Sequence, residues 1–503
     1  VQAAAAAAQP VADPLAAPPE PTTLEPGAPG QAGLEPGAPE AGALIGEADP
    51  SPAGPAEGPH PPVRMPPPVA MPRSLQAVRM NWRQARFMFR ARREIGEVFG
   101  MFGPIGEDVV VTSHPDHVRS LFTADPAQAP SLTGESPLRP IVGPNSVLTL
   151  LGADHMRQRK LLLSSFHGEA VERYTAMISE AAEREIDRWP VGRPFELGPA
   201  MQAITLDVIM SGIFGVEGVA PEGTPERDLR EAIRTAVRMS ARQSTQLFEL
   251  LNVGRREPIR PARAFVESLE RPVYAAIAAR RREGEAPDRG DVFSLLLAAR
   301  YEDGEPMSDQ ELRDELLTLV LAGHDTTANS LSWAFERLLR TPAAYDRLRE
   351  AVRSEDPAAG ADYIEATIHE SMRVRPVIPL IGRRVTVPWE LGDWSLPAGT
   401  PVLISILLLH HRADLYPDPF GFRPERFLGV KPGTYTWIPF GGGIRRCLGA
   451  ALAMAEQRVV LRAIARRTDM VAPDPAPEPA RHRNVTMVPG HGTRVVLQSR
   501  RGA

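Results

Sequence analysis

One helical signal, running from Ser308 to Arg340, constrains this chain more than any other stretch. Ser308-Asp-Gln-Glu311 has the form of a capping box, in which the serine and glutamate side chains each satisfy a backbone N–H left over in the first turn. The helical pattern continues to Arg340, and Thr341-Pro342 restarts a new helix. About 32 residues at about 1.5 Å each give a rod of roughly 48 Å. Such a rod crosses an entire domain, and the rest of the fold has to be built around it. Its middle, Leu316 to Ala322, is almost wholly apolar and must be buried. Directly afterwards comes Gly323-His-Asp-Thr-Thr327, a polar insertion in a buried element. Each unsatisfied group there costs about 1–3 kcal/mol. Threonines can bond back to carbonyls one turn earlier and bend the helix, and Gly323 permits close approach. The insertion reads as a kink with satisfied polar groups. It reads equally as a notch for a flat cofactor or small ligand, with the acid Asp325 beside the alcohol Thr326 as a proton relay.

Residues 1–72 differ from the rest. They are rich in Pro, Ala, Gly and Glu, lack aromatics, and contain the near-repeat Leu24-Glu-Pro-Gly-Ala-Pro and Leu34-Glu-Pro-Gly-Ala-Pro. Such a stretch buries too little apolar surface to offset its ordering entropy and reads as a disordered tail, either a tether or an over-long gene start. From residue 73 onward the pattern is helical with small strand islands. Gln76 to Phe99 carries Arg, Phe and Met at helical spacing, Asp108–Thr112 reads as a strand, and Pro115–Phe122 as a helix. A helix after Gly152 carries His155 and Arg159 four residues apart. Further helices are expected over Glu169–Trp189, Leu197–Phe214, Glu226–Ser240 and Pro261–Arg282. No Gly/Ser linker interrupts this stretch, so 73–503 is expected to be one domain, mainly α with small β-sheets.

The formal net charge of −5 comes with no basic block, which argues against a nucleic-acid partner. A single cysteine excludes an internal disulfide, a cysteine zinc site and a cysteine-held iron–sulfur cluster. It suits a reducing cytoplasm. The Ala3–Ala8 run is far short of the roughly 20 apolar residues of a membrane span, so no membrane anchor is expected.

Three more segments carry chemistry. Glu370-Ser-Met-Arg373 places a carboxylate and a guanidinium on one helix face, and Arg375-Pro376 ends that helix. Alone, the pair is most simply a surface bridge worth little. Phe422-Arg-Pro-Glu-Arg-Phe427 adds Arg426, and Glu370 between two arginines would make a buried clamp, bidentate on each side. Phe440-Gly-Gly-Gly-Ile-Arg-Arg-Cys447-Leu-Gly449 sets the one cysteine between a glycine-rich loop and a helical run, Ala450–Arg466. Glycines such as Gly441 permit positive φ, and N–H groups near a helix start favour a thiolate. A thiolate on iron pushes electron density through the metal and favours O–O cleavage. A buried inert cysteine is the plain alternative; a phosphate loop would need Gly-Lys-Ser/Thr, which is missing.

These residues resemble the cytochrome P-450 family. Its haem-binding signature falls on Phe440, Gly443, Arg445, Cys447 and Gly449, its central-helix motif on Ala322, Gly323, Asp325, Thr326 and Thr327, and its Glu-x-x-Arg and Pro-Glu-Arg-Phe motifs on Glu370, Arg373 and Arg426. The resemblance covers roughly residues 75–500 and implies the family fold, a long central helix over a haem with a cysteine-ligand loop on the opposite face. It implies haem b as cofactor, with Cys447 as axial ligand to the iron. His155, Arg159, Arg445 and Arg383, with Arg384 as the neighbouring alternative, would hold the haem carboxylates. Phe440 would shield the sulfur, Thr326 would hold dioxygen and a water, and Asp325 would gate protons. His410-His411 matches a family stretch without ligand duty and reads as structural.

The implied reaction inserts one atom of dioxygen into a hydrophobic small molecule. Electrons would come from a separate ferredoxin or flavodoxin with its reductase, docking on the Cys447 side of a monomer. Peroxide-driven or rearrangement chemistry on the same fold, or haem binding without catalysis, are the alternatives. Substrate-pocket residues are expected around Ala124–Leu150, Met239–Val253, Leu319–Ala322 and Val377–Ile381, with Leu148, Leu150, Leu247, Val377, Ile378 and Leu380 giving an apolar lining.

Overall fold

The capping box forms as read. Glu311 N–H donates to Ser308 Oγ at 3.2 Å, and Ser308 N–H donates to Glu311 Oε2 at 2.8 Å. The computed structural model describes residues 62–502 apart from 105, 164–168, 216–219, 241–254, 256, 285–289 and 355. Before the long helix come α1 (Arg73–Ile95), α2 (Pro115–Thr123), α3 (Gly152–Leu163) and α4 (Glu169–Ile186). They are followed by α5 (Leu197–Phe214), α6 (Pro225–Ser240) and α7 (Arg260–Arg282). The long helix itself is α8 (Asp309–Leu339), 31 residues without a break, and α9 (Pro342–Arg353), α10 (Pro357–Val374) and α11 (Ala450–Arg467) come after it. Short helical turns fill several of the connections.

The strands are small and lie at the edges of the helical body. A four-stranded sheet has the order β1 (Val98–Phe102), β2 (Asp108–Thr112), β7 (Pro401–Ser405) and β4 (Leu380–Arg384). Its β2–β7 pair is parallel, while β1–β2 and β4–β7 are antiparallel. Opposite Val402 in this sheet stands Arg383, so strand alternation sends Arg383 and Arg384 to opposite faces. The chain also forms β3 (Pro194–Glu196) with β8 (Thr468–Val471) and β11 (Arg494–Arg500), a β5 (Trp389–Leu391) and β6 (Trp394–Leu396) pair, and a hairpin of β9 (Ala480–Arg483) and β10 (Thr486–Pro489).

The core gathers around α8. Leu312, Leu316, Leu317, Val320, Leu331 and Phe335 are buried against α5 and neighbouring helices. A Cβ on Gly323 would sit 2.6 Å from Ile209 Cδ1 of α5, and Thr205 Oγ1 donates to His324 O at 3.0 Å. Gly323 is thus small where α5 presses on it, while the adjoining face of α8 stays open. On the far side, Trp333 Nε1 donates to Met487 O at 2.9 Å and pins the β9–β10 hairpin to α8. Helix α5 is long and apolar enough to cross a membrane by composition, yet most of it is buried against this core.

Two expected boundaries move. The helix read over Gln76–Phe99 stops at Ile95, because Gly96 adopts φ +124° and Phe99 belongs to β1. The tail expected to run to residue 72 ends earlier: Arg64 bridges Ser395, Val69 N–H donates to Gly100 O at 2.8 Å, and Gly100 N–H donates to Pro67 O at 2.9 Å. Prolines suit this edge because they offer carbonyls and need no partner for an N–H. The rest of that segment, residues 1–61, lies outside the described residues.

Glu456 on α11 is fully buried, and its Oε1 has no hydrogen-bond partner among the described residues. Burial pushes its carboxyl from an ordinary value near 4.5 up to about 8, and Glu315 on α8 is pushed up to about 8 for the same reason. The folded chain therefore keeps protons that the unfolded chain releases between those values. Stability falls as pH rises across that window and levels off above it. Glu456→Gln keeps the shape without the charge and should make the slope shallower. Urea midpoints at about pH 5 and about pH 8 check this, and an unaltered slope would refute it.

Candidate active site

The glycine-rich loop is shaped by what it packs on. Gly441 and Gly443 adopt φ +67° and +61°. A Cβ on Gly442 would collide with the Phe122 ring of α2, and one on Gly443 with the Phe122 carbonyl. The loop closes where Cys447 N–H donates to Phe440 O at 3.0 Å, and Phe440 packs against Trp437 with ring centroids 6.2 Å apart. Gly449 then opens α11.

Cys447 lies deep in the protein, yet its surface is open, so it faces an interior space. Burial pushes its thiol up, against the opposing help of a Gly449 N–H and the charges of Arg446 and Arg159. Desolvation and the loop's dipoles thus pull the thiol in opposite directions, and a metal bound to the sulfur would favour the thiolate.

An open stripe also runs along the otherwise buried α8. Ala322 is exposed, and Leu319, Gly323 and Thr326 are half-buried, a spacing that lines one helix face. Thr326 Oγ1 donates to Ala322 O at 2.7 Å and Thr327 Oγ1 to Gly323 O at 3.1 Å. Asp325 is turned elsewhere. Its Oδ1 accepts from Arg483 Nη2 of β9 at 2.6 Å and from Gln202 Nε2 of α5 at 3.2 Å, while Oδ2 accepts from Asn329 Nδ2 at 3.1 Å. The acid and the alcohol are adjacent in sequence but separately held. Arg483 and Gln202 escape a reading of motifs because 158 and 123 residues separate them from Asp325.

A cationic cavity completes the site, lined by Leu121, Phe122, Ser131, His155, Arg383 and Arg445, among others. His155 is held neutral, its pKa driven down to about 3 by burial and then by Arg445, Arg159 and Arg383, and its Nδ1 has no partner among the described residues. Arg383 is buried and meets no carboxylate among the described residues; burial lowers it to about 10. Arg384 is committed to Glu107 and Glu135, which settles which of the two faces the cavity. Arg445, lowered to about 10 by burial and then Arg383 and Arg159, donates to the carbonyls of Val147 (3.2 Å), Leu148 (2.9 Å) and Leu150 (2.9 Å) and to Thr133 Oγ1. It thus ties down the 147–150 loop as well as lining the cavity. Half-buried Arg159 lies close enough to Cys447 and Arg446 to feel both charges. Buried cations without carboxylates are costly. A flat group carrying two carboxylates and a thiolate-binding metal would compensate them, so the residues present fit a haem.

The structural triad forms with one correction. Arg373 and Glu370 are fully buried and bidentate, Nε to Oε2 at 2.7 Å and Nη2 to Oε1 at 2.9 Å. Arg426 reaches Glu370 Oε1 with Nε alone, at 3.3 Å, and spends Nη2 on Asp418 O at 2.7 Å. The clamp is bidentate on one side only, since the Asp418 carbonyl and the Arg423 N–H (2.7 Å to Oε1) occupy the other. His410 Nε2 accepts from Ile438 N–H at 2.9 Å, fully buried, with its pKa lowered to about 3 by burial, which fits the structural reading of the histidine pair. Of the expected pocket residues, Leu148, Leu150, Val377, Ile378 and Leu380 are half-buried; Leu247 lies outside the described residues.

Comparison with known proteins agrees with this geometry. The chain is 36% identical over 438 residues to putative cytochrome P450 137 of Mycobacterium tuberculosis, covering 86% of this chain and 90% of that one. It is 36% identical over 444 residues to putative cytochrome P450 138 of Mycobacterium bovis, covering 88% and 98%. Its fold superposes on the retinoic acid bound cyanobacterial CYP120A1 with a TM-score of 0.72 at 23% identity, covering 87% of this chain and all of that one. The profile of the family described as Cytochrome P450 matches residues 63–495. A long helix crossing over a cavity, a cysteine loop on its other side and a cationic rim are thus the family's arrangement, and the chain belongs to the cytochrome P450 family, as a haem-iron monooxygenase.

Proposed function

We propose that the chain oxygenates a hydrophobic small molecule, using haem b and electrons from a separate ferredoxin or flavodoxin with its reductase. The observation that carries this reading is the open stripe on α8, where apolar Leu319 and Ala322 stand beside the alcohol of Thr326. The half-buried Leu148, Leu150, Val377, Ile378 and Leu380 support an apolar substrate.

Haem, when bound, supplies the activation of dioxygen. Cys447 would ligate its iron, with Phe440 shielding the sulfur from water. His155, Arg159, Arg383 and Arg445 would hold its carboxylates, with Arg445 also bracing the 147–150 loop. Thr326 would position dioxygen and a water by exchanging its Ala322 carbonyl partner, one turn back, for them. Asp325 would carry protons inward, and it reaches the Thr326 side only on leaving Arg483. Arg483 and Gln202 then act as positioning residues that set how often the carboxylate swings.

Thr326→Ala should leave substrate binding intact while diverting reducing equivalents to hydrogen peroxide, with the product-to-electron ratio falling by about tenfold or more. Parallel assays of peroxide and product with any competent redox partner check it. Unchanged coupling would remove Thr326 from the relay and favour peroxide-driven chemistry on the same fold. A spectral-shift screen of fatty acids, terpenes, steroids and polyketides on the haem-loaded chain would narrow the substrate.

A further inference from the structure

The first helix presents a face that nothing in the oxygenase site uses. Its inner side is firmly seated: Met80, Phe87, Met88 and Phe89 are buried, Gln76 Nε2 donates to Met71 O at 2.8 Å, and Gln76 Oε1 accepts from Phe102 N–H at 2.8 Å. The outer side is apolar where water should be. Leu75, Val78 and Trp82, spaced three and four apart, are 41%, 49% and 72% exposed. They therefore share one stripe on the solvent face. Trp82 is the only exposed tryptophan among the described residues.

The same helix holds seven arginines and one glutamate in a chain whose formal net charge is −5. Arg92 turns inward to the Leu408 and His411 carbonyls, Arg73 pairs with Asp108 and Arg90 with Glu94. Arg79, Arg83 and Arg93 meet no carboxylate among the described residues, and Arg83, Arg86 and Arg93 are exposed. At Arg83 the backbone leaves helical values (φ −142°, ψ 43°), so a kink separates the Leu75–Trp82 half from the arginine-rich half.

We propose that the outer face of α1 docks on the surface of an anionic lipid bilayer, lying in its plane as a peripheral contact. Aliphatic side chains and a tryptophan beside arginines are the combination that partitions into the headgroup boundary, where the apolar stripe leaves water and the guanidiniums meet lipid phosphates. An acidic protein would complement the arginines but would leave the apolar stripe at odds with its own surface. Because the chain as a whole is acidic, attraction to an anionic bilayer has to be local to α1 and sensitive to salt. The proposal stands whether or not the oxygenase substrate is lipophilic.

Sedimentation of the full haem-loaded chain with vesicles tests it, using phosphatidylcholine alone and phosphatidylcholine with equal phosphatidylglycerol. The parent should partition onto the anionic vesicles, weaken with added salt, and bind pure phosphatidylcholine poorly. The double variant Val78→Ser, Trp82→Ser and the triple variant Arg79→Glu, Arg83→Glu, Arg93→Glu should each lose at least about tenfold in partitioning. Both should keep the parent's carbon monoxide difference spectrum, which shows that they are folded. Vesicles with brominated acyl chains should quench Trp82 fluorescence, and Trp82→Phe should abolish that quenching. Absence of binding to anionic vesicles, binding that both variants retain, or quenching that survives Trp82→Phe would each overturn the proposal. Capture by an acidic protein without vesicle binding would overturn it in favour of a protein partner.

Discussion

Arg373→Ala is expected to unfold much of the chain at temperatures the parent tolerates. The Arg373 guanidinium is fully buried and donates five hydrogen bonds, two to Glu370 and one each to the carbonyls of His410, Pro419 and Gly421. Removing it strands Glu370, which is 0% exposed and, among the described residues, keeps only the Arg423 N–H and the single Arg426 contact. Breaking a buried pair by deleting one partner costs about 3–5 kcal/mol, because the remaining charge stays uncompensated. A domain holds only about 5–15 kcal/mol in total. Arg373→Lys should rescue little, since an ammonium cannot span both carboxylate oxygens and three carbonyls. Urea midpoints of parent and variants measure this, and a loss below about 1 kcal/mol would contradict the assignment. Arg426→Ala should cost much less, because its link to Glu370 is one bond of 3.3 Å.

Cys447→Ser should fold and yet lack the red-shifted Soret band expected of the reduced, carbon monoxide-bound parent, and its turnover should fall to the background of the assay. Nothing in the loop depends on the sulfur for its shape. The Phe440 carbonyl accepts the residue's N–H, and Phe122 packs against the glycines whichever side chain follows. The variant therefore separates ligation from folding. If the Cys447→Ser chain kept the red-shifted band, Cys447 would not be the iron ligand.

Much of this arrangement is legible in the sequence because it is local. The capping box of α8, the cysteine loop and the Glu370–Arg373 spacing each depend on residues within a turn or two, where hydrogen-bonding rules act directly on sequence. What distance decides is not legible. Arg383 and Arg384 are neighbours, and only the register against β7, with Glu107 and Glu135 on one side, shows which is left for the cavity. Gly323 suggests a notch beside the helix, and its packing against Ile209, more than a hundred residues earlier, could not be read from the motif. At Cys447 the loop dipoles can be read from the sequence, but the burial that opposes them cannot. The motif around Asp325 suggests a carboxylate free to relay protons, whereas Arg483 and Gln202 grip it from two other elements.

Arg445 holds the 147–150 loop almost entirely through main-chain oxygens, those of Val147, Leu148 and Leu150. Every amino acid carries such an oxygen. Exchanging the half-buried side chains of Leu148 and Leu150 should therefore leave the tether intact. If those leucines line the substrate space as proposed, selectivity could then change without loosening the loop that Arg445 holds.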